Sequence, residues 1–227
     1  GDQKKAEMLT RQNFNSEVSY EADGENPFRF GSFTTMGEFY VETGLNIIGM
    51  SDYKRILSLD SAMAVVQFKK DHVAYQRNYF ISYPANVMVM RFSADQPGKQ
   101  NLVFSYAPNP VSTGNMASDG NKGLVYSASL DNNGMKYVVR IQAETKGGTL
   151  SNADGKLAVK GADEVVFYIT ADTDYKPNFD PDFKDPKTYV GVNPEETTKE
   201  WMNNAVSQGY TALFSQHYND YAALFDR

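Results

Sequence analysis

Cysteine is absent from this 227-residue sequence, and histidine and tryptophan occur only twice and once. The absence of cysteine excludes disulfides, thiol catalysis and cysteine metal sites. No apolar run approaches the roughly 20 residues of a membrane-spanning helix, and no signal peptide opens the sequence. We therefore predict no membrane span. The expected location is periplasmic or extracellular, with a leader that lies outside these residues.

The charge balance is acidic, with 28 Asp and Glu against 22 Lys and Arg and a net charge of −6. Nucleic acids and anionic lipids are held mainly by positive charge. The sequence therefore predicts no nucleic-acid partner, although an acidic surface by itself indicates no particular binding partner.

Aromatic residues are abundant at 13%, including 15 Tyr and 14 Phe, and strands favour aromatic and β-branched side chains. From Phe33 onward apolar and polar residues alternate with period two, in short runs separated by turn residues. Asn133-Gly134 and Asp154-Gly155 are typical of tight hairpin turns. The pattern predicts a mostly β fold, a large antiparallel β-sandwich of the supersandwich kind. The strands expected most clearly are Phe39–Glu42, Ala64–Phe68, Val73–Phe80, Val87–Phe92, Asn101–Tyr106, Leu124–Leu130, Tyr137–Ala143 and Glu164–Thr170.

Helices are predicted at both ends of the sandwich. Residues 2–13 form a short polar helix. Asn193-Pro194 is typical of a helix start, with a capping Asn and Pro at the first helical position. We expect one helix to about Ser207, a stop at Gly209, and a second helix over Tyr210–Leu224. The domain prediction is a partial N-terminal helix and loop over 1–30, the sandwich over 31–192, and C-terminal helices over 193–227.

Few residues are candidates for chemistry. His72 lies in a Lys-Lys-Asp-His turn, where a solvated turn residue is the expected interpretation. Asp172 and Asp174 fall on one face of a strand end and could converge as the carboxylate pair of a glycosidase, although a polar strand end is the commoner reason for such a pattern.

A calcium site is the remaining metal possibility, but the spacing lacks the glycine of a helix-loop-helix calcium loop. Its oxygen ligands would be Asp180, Asp182 and Asp185. The sequence has no serine nucleophile elbow, P-loop or dinucleotide fingerprint. We therefore predict no catalytic residue, no metal site and no cofactor.

The last helix has a broad apolar and aromatic stripe at steps of three and four residues. Its members are Tyr210, Leu213, Phe214, His217, Tyr221, Leu224 and Phe225. One helix can bury only part of such a stripe on its own sandwich, so we expect the rest to face another module. The predicted interdomain interface comprises Phe214, His217, Asp220, Tyr221 and Phe225.

Five segments, in order along residues 34 to 227, resemble the N-terminal β-sandwich domain of glycoside hydrolase family 95, the α-L-fucosidases and related α-L-galactosidases. They are Thr34–Val41 (the family's YxxLGDLYL strand), Tyr53–Ala62 (YRRxLDLdtA), Tyr75–Pro84 (YxREvFaSyP), Gly161–Glu164 with Thr170–Tyr175 (GADe…aaaTxy), and His217–Arg227 (HxxDYxxLFxRV).

This resemblance implies that the catalytic groups lie elsewhere. In the family an α/α-barrel module follows the LFxRV helix and holds the general acid and the Asn and Asp groups that activate water in an inverting reaction. The family's opening LPxGNGxxGAM and QLNExxxW stretches are also missing here. The implied partners are that module and the carbohydrate substrate of the parent, and the chain alone is expected to be inactive.

Two hypotheses follow. The first is a structural sandwich module of an α-L-fucosidase-like glycoside hydrolase, and the abrupt end at Asp226-Arg227 and the last helix favour it. The second is a stand-alone carbohydrate-binding module, which exposed aromatic residues grouped on one sheet face would favour.

Overall fold

A computed structural model describes residues 2–14, 34–131, 134–180, 184 and 187–226. Two helices, α1 and α2, flank a series of strands. Their bounds are α1 Gln3–Phe14, β1 Gly37–Glu42, β2 Ser51–Ser58, β3 Met63–Lys70, β4 Val73–Ser82, β5 Val87–Ala94, β6 Gln100–Pro108, β7 Ser112–Asp119, β8 Gly123–Leu130, β9 Lys136–Lys146, β10 Thr149–Ala153, β11 Lys156–Ala162, β12 Glu164–Thr173 and α2 Pro194–Phe225.

The strands form two antiparallel sheets of unequal width. The smaller has four strands in the order β1-β6-β11-β10, and the larger has eight in the order β2-β3-β4-β5-β12-β9-β8-β7. The predicted mostly β, antiparallel sandwich is therefore confirmed. The last strand, β12, lies at the centre of the large sheet, where it pairs with β5 on one side and β9 on the other.

The main core lies between the two sheets and is built from alternate residues of both. Phe104 and Leu157 of the small sheet and Phe167 and Ile141 of the large sheet are fully buried there. The rings of Phe104 and Phe167 are stacked with centroids 4.7 Å apart. Burying each such side chain stabilises the fold by roughly 1.5–3 kcal/mol. Because alternate residues of a strand share a face, the apolar alternation determines which face of the strand turns inward.

The opposite face of the large sheet is covered by α2, which contacts β12, β9, β4 and β5. A second apolar cluster fills this layer, and it includes Phe80, Val89 and Tyr168 from the sheet and Met202 and Leu213 from the helix. The large sheet is therefore covered on both faces near its centre.

Two-residue turns with positive φ angles close two of the hairpins. Asp154 and Gly155 (φ 51° and 69°) join β10 to β11, as predicted. Asp71 and His72 (φ 50° and 61°) join β3 to β4, so His72 is an exposed turn residue, also as predicted. Both are mirror-image turns that match the twist of a hairpin. In the Asn133-Gly134 turn, Asn133 lies outside the described residues.

Three strands of the structure were not among those predicted. Strands β2 and β7 are the edge strands of the large sheet, and β10 is an edge strand of the small sheet. The prediction of two helices at the C-terminus is confirmed, because α2 consists of two helical segments separated by a kink at Gly209, whose own backbone is not helical.

Candidate functional site

The C-terminal helix α2 carries the predicted interface, and its first turn is held by local capping. Asn193 has an extended backbone, and its side chain accepts a hydrogen bond from the backbone amide of Glu195 at 3.2 Å. Pro194 occupies the first helical position, and Glu195 and Glu196 lie in the first turn. Carboxylates there interact favourably with the positive end of the helix dipole, so the predicted helix start is confirmed.

A buried arginine fastens this first turn to the large sheet. The Arg140 side chain is 7% exposed, and its guanidinium contacts Asp119 at 2.5 Å and Glu195 at 3.1 Å. The hydroxyl of Ser127 donates to the other oxygen of Glu195. The sequence analysis missed this cluster. Its signal was a single Arg within the otherwise apolar run Tyr137–Ile141, since a buried charge needs a partner.

The first half of α2 also contacts the central strand β12. The hydroxyl of Thr170 donates to the backbone carbonyl of Thr198 at 3.0 Å, and both residues are buried. Met202 and Ala205, one and two turns further on, are buried against the sheet. Polar contacts therefore hold the start of α2, and apolar contacts hold its middle.

Gly209 divides α2 into two segments. Its φ of 71° and ψ of 170° are not helical, and this region of backbone space is open essentially to glycine alone. The break redirects the helix without a loop. The second segment therefore packs over β4 and the β2–β3 loop with its own set of side chains.

His217 is the centre of that second contact. It is 5% exposed, and its ring stacks on Phe80 with centroids 5.0 Å apart. The Nε2–H group of His217 donates to the backbone carbonyl of Ser61, 3.0 Å away, because a carbonyl can only accept. Leu213 is fully buried one turn earlier, and Phe214 is partly buried against Phe80.

The stripe residues that follow His217 are less buried. Tyr221 stacks on His217 and Phe225 stacks on Tyr221, with centroids 6.4 and 5.3 Å apart. Tyr221 and Asp220 are partly buried, Phe225 is 49% exposed and Leu224 is 60% exposed. The stripe is thus divided between a part on its own sheet and a part open to solvent.

Arg91 and Tyr210 form the polar margin of the α2 layer. The guanidinium of Arg91 lies over the ring of Tyr210, 4.8 Å from its centroid, and contacts Glu164 at 2.5 Å. The hydrogen bond with Glu164 raises the pKa of Arg91. Burial raises the pKa of the Tyr210 phenol, although Arg91 acts in the opposite direction.

The carboxylates considered for catalysis have structural roles. Asp174 is buried and accepts a hydrogen bond from the backbone amide of Lys136 at 2.9 Å. Asp172 accepts from the adjacent amide of Thr173 at 2.8 Å. Both carboxylates therefore accept hydrogen bonds from backbone amides near the end of β12, which is the structural role of a polar strand end.

The described residues contain no group of three or more His, Asp or Glu side chains placed to hold a metal ion. Asp180 is exposed, whereas Asp182 and Asp185 lie outside the described residues. No helix in the described part of the chain combines the length and apolar character that a membrane crossing requires.

In the described part of the chain, exposed aromatic side chains are spread over several elements and are not grouped on one sheet face. They lie on different elements: Tyr40 on β1, Tyr53 on β2, Tyr83 after β4, Tyr175 and Phe179 in the loop after β12, and Tyr218 and Phe225 on α2. The grouping that would favour a carbohydrate-binding module is therefore not seen among the described residues.

Comparison with known families supplies the class of domain. Residues 1–178 match the model of the glycosyl hydrolase family 65 N-terminal domain, and the chain belongs to that family. The predicted resemblance to the N-terminal sandwich of a glycoside hydrolase is thereby confirmed. The matching family model is that of glycosyl hydrolase family 65, whereas the sequence motifs resemble glycoside hydrolase family 95.

The curated relatives include α-fucosidases. The chain is 28% identical over 214 residues to probable alpha-fucosidase A of Aspergillus niger, covering 90% of this chain and 26% of that protein. It is 25% identical over 209 residues to alpha-L-fucosidase 2 of Arabidopsis thaliana, covering 78% of this chain and 23% of that protein. The chain therefore spans about a quarter of the length of these relatives.

Among solved structures, a putative kojibiose phosphorylase from the human microbiome has a similar fold. Its TM-score is 0.54 at 10% identity, and the match covers 81% of this chain and 27% of that one. At this identity the likeness concerns the fold alone.

Proposed function

We propose that this chain is the non-catalytic N-terminal sandwich domain of an α-L-fucosidase-like glycoside hydrolase. In this proposal it supports a larger catalytic module, the α/α-barrel that the sequence motifs imply, in carbohydrate degradation outside the cytoplasm. The observation that carries the proposal is coverage: the chain matches an N-terminal domain family over 1–178 but spans only 26% of the Aspergillus niger relative.

The division of the α2 stripe supports a role for its second segment in contacting that module. In the proposed arrangement His217 and Phe214 hold the helix on the sandwich, and Tyr221 and Phe225 contact the partner. Asp220 lies beside them as a polar group at the margin. Apolar side chains that remain exposed on a well-packed domain commonly mark such interfaces.

Activity measurements test the catalytic part of the proposal. The purified 227-residue chain and the full-length parent are assayed with aryl α-L-fucosides and aryl α-L-galactosides. We expect turnover by the parent and only background from the chain. Turnover by the chain that is abolished by Asp172→Asn would overturn the proposal and assign catalysis to this domain.

Hydrogen exchange tests the contact itself. Backbone amides of residues 217–225 should exchange more slowly in the parent than in the isolated chain. Equal exchange would show that α2 contacts no further module. Tight binding of fucosylated oligosaccharides by the isolated chain, with no such protection in the parent, would favour the carbohydrate-binding alternative.

A further inference from the structure

The eight-stranded sheet is wider than the four-stranded sheet that packs on it, and its β2, β3 and β4 strands extend past the smaller sheet. Strand pairing identifies the side chains that share the inner face there. Met90, a core residue, pairs with Tyr79, which pairs with Ala64, which pairs with Leu57. Directly paired residues of antiparallel strands point to the same side of the sheet, so Leu57 faces the same way as the core.

One end of this inner face is covered, since Phe68 and Tyr75 are buried there with Leu45 and Met50. Towards β2 and the far end of β4 the face is apolar and, among the described residues, open to solvent. Leu57 and Ile81 are both 67% exposed and Tyr53 is 58% exposed. We call this surface the overhang. It comprises Tyr53, Arg55 and Leu57 of β2 and Arg77, Tyr79 and Ile81 of β4.

The composition of the overhang is that of a protein interface. The overhang consists of two tyrosines, two arginines, a leucine and an isoleucine, and none of these residues is acidic. Tyr and Arg are enriched at the centres of protein interfaces. Arg77 is held in place by the rings of Phe68 and Phe92, at 5.1 and 5.6 Å. A fitting partner therefore presents an apolar surface with acidic groups at its margin.

We propose that the module following this domain in the parent chain docks on the overhang and covers the edge strand β2. This inference rests on the proposed function and adds a second contact surface to it. The hydrogen bond from His217 to Ser61 places the second segment of α2 against the β2–β3 loop. The second segment of α2 thus reaches the loop that follows β2, on the face of the large sheet opposite the overhang.

The size of the overhang favours a tethered partner over a second copy of the chain. Strand spacing and residue rise give it an extent of about 14 by 20 Å, or on the order of 300 Å². A stable interface between separate chains buries about 800 Å² on each partner. A module joined by the same polypeptide is present at an effective concentration near millimolar, so a smaller surface suffices.

The state of β2 gives an independent reason for a cover. Its residues are exposed on both faces except Ser58, and within the described part of the chain it pairs with β3 alone. An uncovered edge strand with Ile56 and Leu57 exposed is prone to pair with other chains. A docked module would remove that hazard in the parent.

Hydroxyl-radical footprinting of the isolated chain and the full-length parent tests the proposal. We expect the oxidation rates of Tyr53, Leu57 and Ile81 to fall severalfold in the parent. Tyr40, which is 48% exposed on β1 in the other sheet, is the control and should be oxidised equally in both. Phe225 reports separately on the contact of α2.

The outcomes are distinguishable. Protection of Phe225 without protection of Leu57 and Ile81 would overturn the docking on the overhang and leave the proposed function standing. No protection at either surface would contradict both. Slow oxidation of Leu57 and Ile81 in the isolated chain would show that the chain covers this face itself. Protection of the overhang by an added fucosylated oligosaccharide, but not in the parent, would assign it to glycan binding and overturn the proposal.

A double variant, Leu57→Asn with Ile81→Asn, gives a second readout. In the isolated chain it should change the Tm little, because both side chains are largely solvated. In the parent it should restore fast oxidation of Tyr53 and separate the calorimetric transitions of the two modules. Tyr40→Asn is the matched control and should leave the parent's transitions unchanged; the same separation with this variant would contradict the assignment.

Discussion

The guanidinium of Arg140 in β9 lies 3.1 Å from the carboxylate of Glu195 in the first turn of α2, and this contact joins the helix to the sheet. Replacing Arg140 with Met would leave Glu195 and Asp119 without their cation. We expect a loss of about 2 kcal/mol in the free energy of unfolding, less than for a fully buried pair because both carboxylates are partly solvated. Urea denaturation measures it. Lys136→Met, at an exposed position of the same strand, is the control, and an equal loss there would contradict the role of Arg140.

The kink at Gly209 predicts a strong penalty for any side chain. Gly209→Ala should lower the free energy of unfolding by about 1–3 kcal/mol, because φ 71° with ψ 170° is strained for an L-residue. Gln208→Ala, at the exposed preceding position, should change it by less than about 0.5 kcal/mol. Thermal denaturation of both variants checks this. A stabilising effect of Gly209→Ala would mean that the two segments form a straight helix in solution.

Two leucines of α2 provide a matched pair for the division of the stripe. Leu213 is fully buried, whereas Leu224 is 60% exposed. Leu213→Ala should cost about 2–4 kcal/mol through lost burial and a cavity. Leu224→Ala should cost less than about 0.5 kcal/mol in the isolated chain. Similar losses for the two variants would show that Leu224 is packed within the domain.

Alkaline pH should destabilise the fold through its buried phenols. Burial, with a hydrogen bond to Glu144, raises the pKa of Tyr168. The folded chain then retains a proton that the unfolded chain releases above about pH 10, so stability is complete below that pH and falls as the pH rises. In Tyr168→Phe the loss of stability between about pH 9.5 and 11 should be shallower. Tyr83→Phe, at an exposed position, is the control, and an identical pH profile for both variants would refute the assignment.

The centre of the sandwich was predictable because its strands are largely buried. Strand β4 alternates where it packs on the core and β12, buried on both faces, is a nearly continuous apolar run, and the sequence displays both patterns. The start of α2 was predictable for a local reason, since Asn193 and Pro194 act on their own first turn.

The edges of the large sheet could not be read in the same way. In β7 the residues Ser112–Asp119 are small or polar apart from Met116, and β2 is exposed on both faces, so neither strand displays a clear burial pattern in its sequence. The division of α2 at Gly209, by contrast, was predictable, because glycine commonly ends a helix. The Arg140 cluster joins residues distant in the sequence, and spacing alone does not reveal such pairs.

The central position of β12 has a consequence for the order of folding. Helix α2 rests on β4, β5, β12 and β9, so its docking surface exists only after β12 has been inserted between β5 and β9. Helical turns form quickly but are marginal in water without packing, whereas pairing of distant strands is slow. Helix α2 is the segment whose local sequence signals are strongest. Its stable docking must nevertheless be one of the last steps in assembling the domain. It closes the layer over β12, which is itself the last strand of the sheet to leave the ribosome.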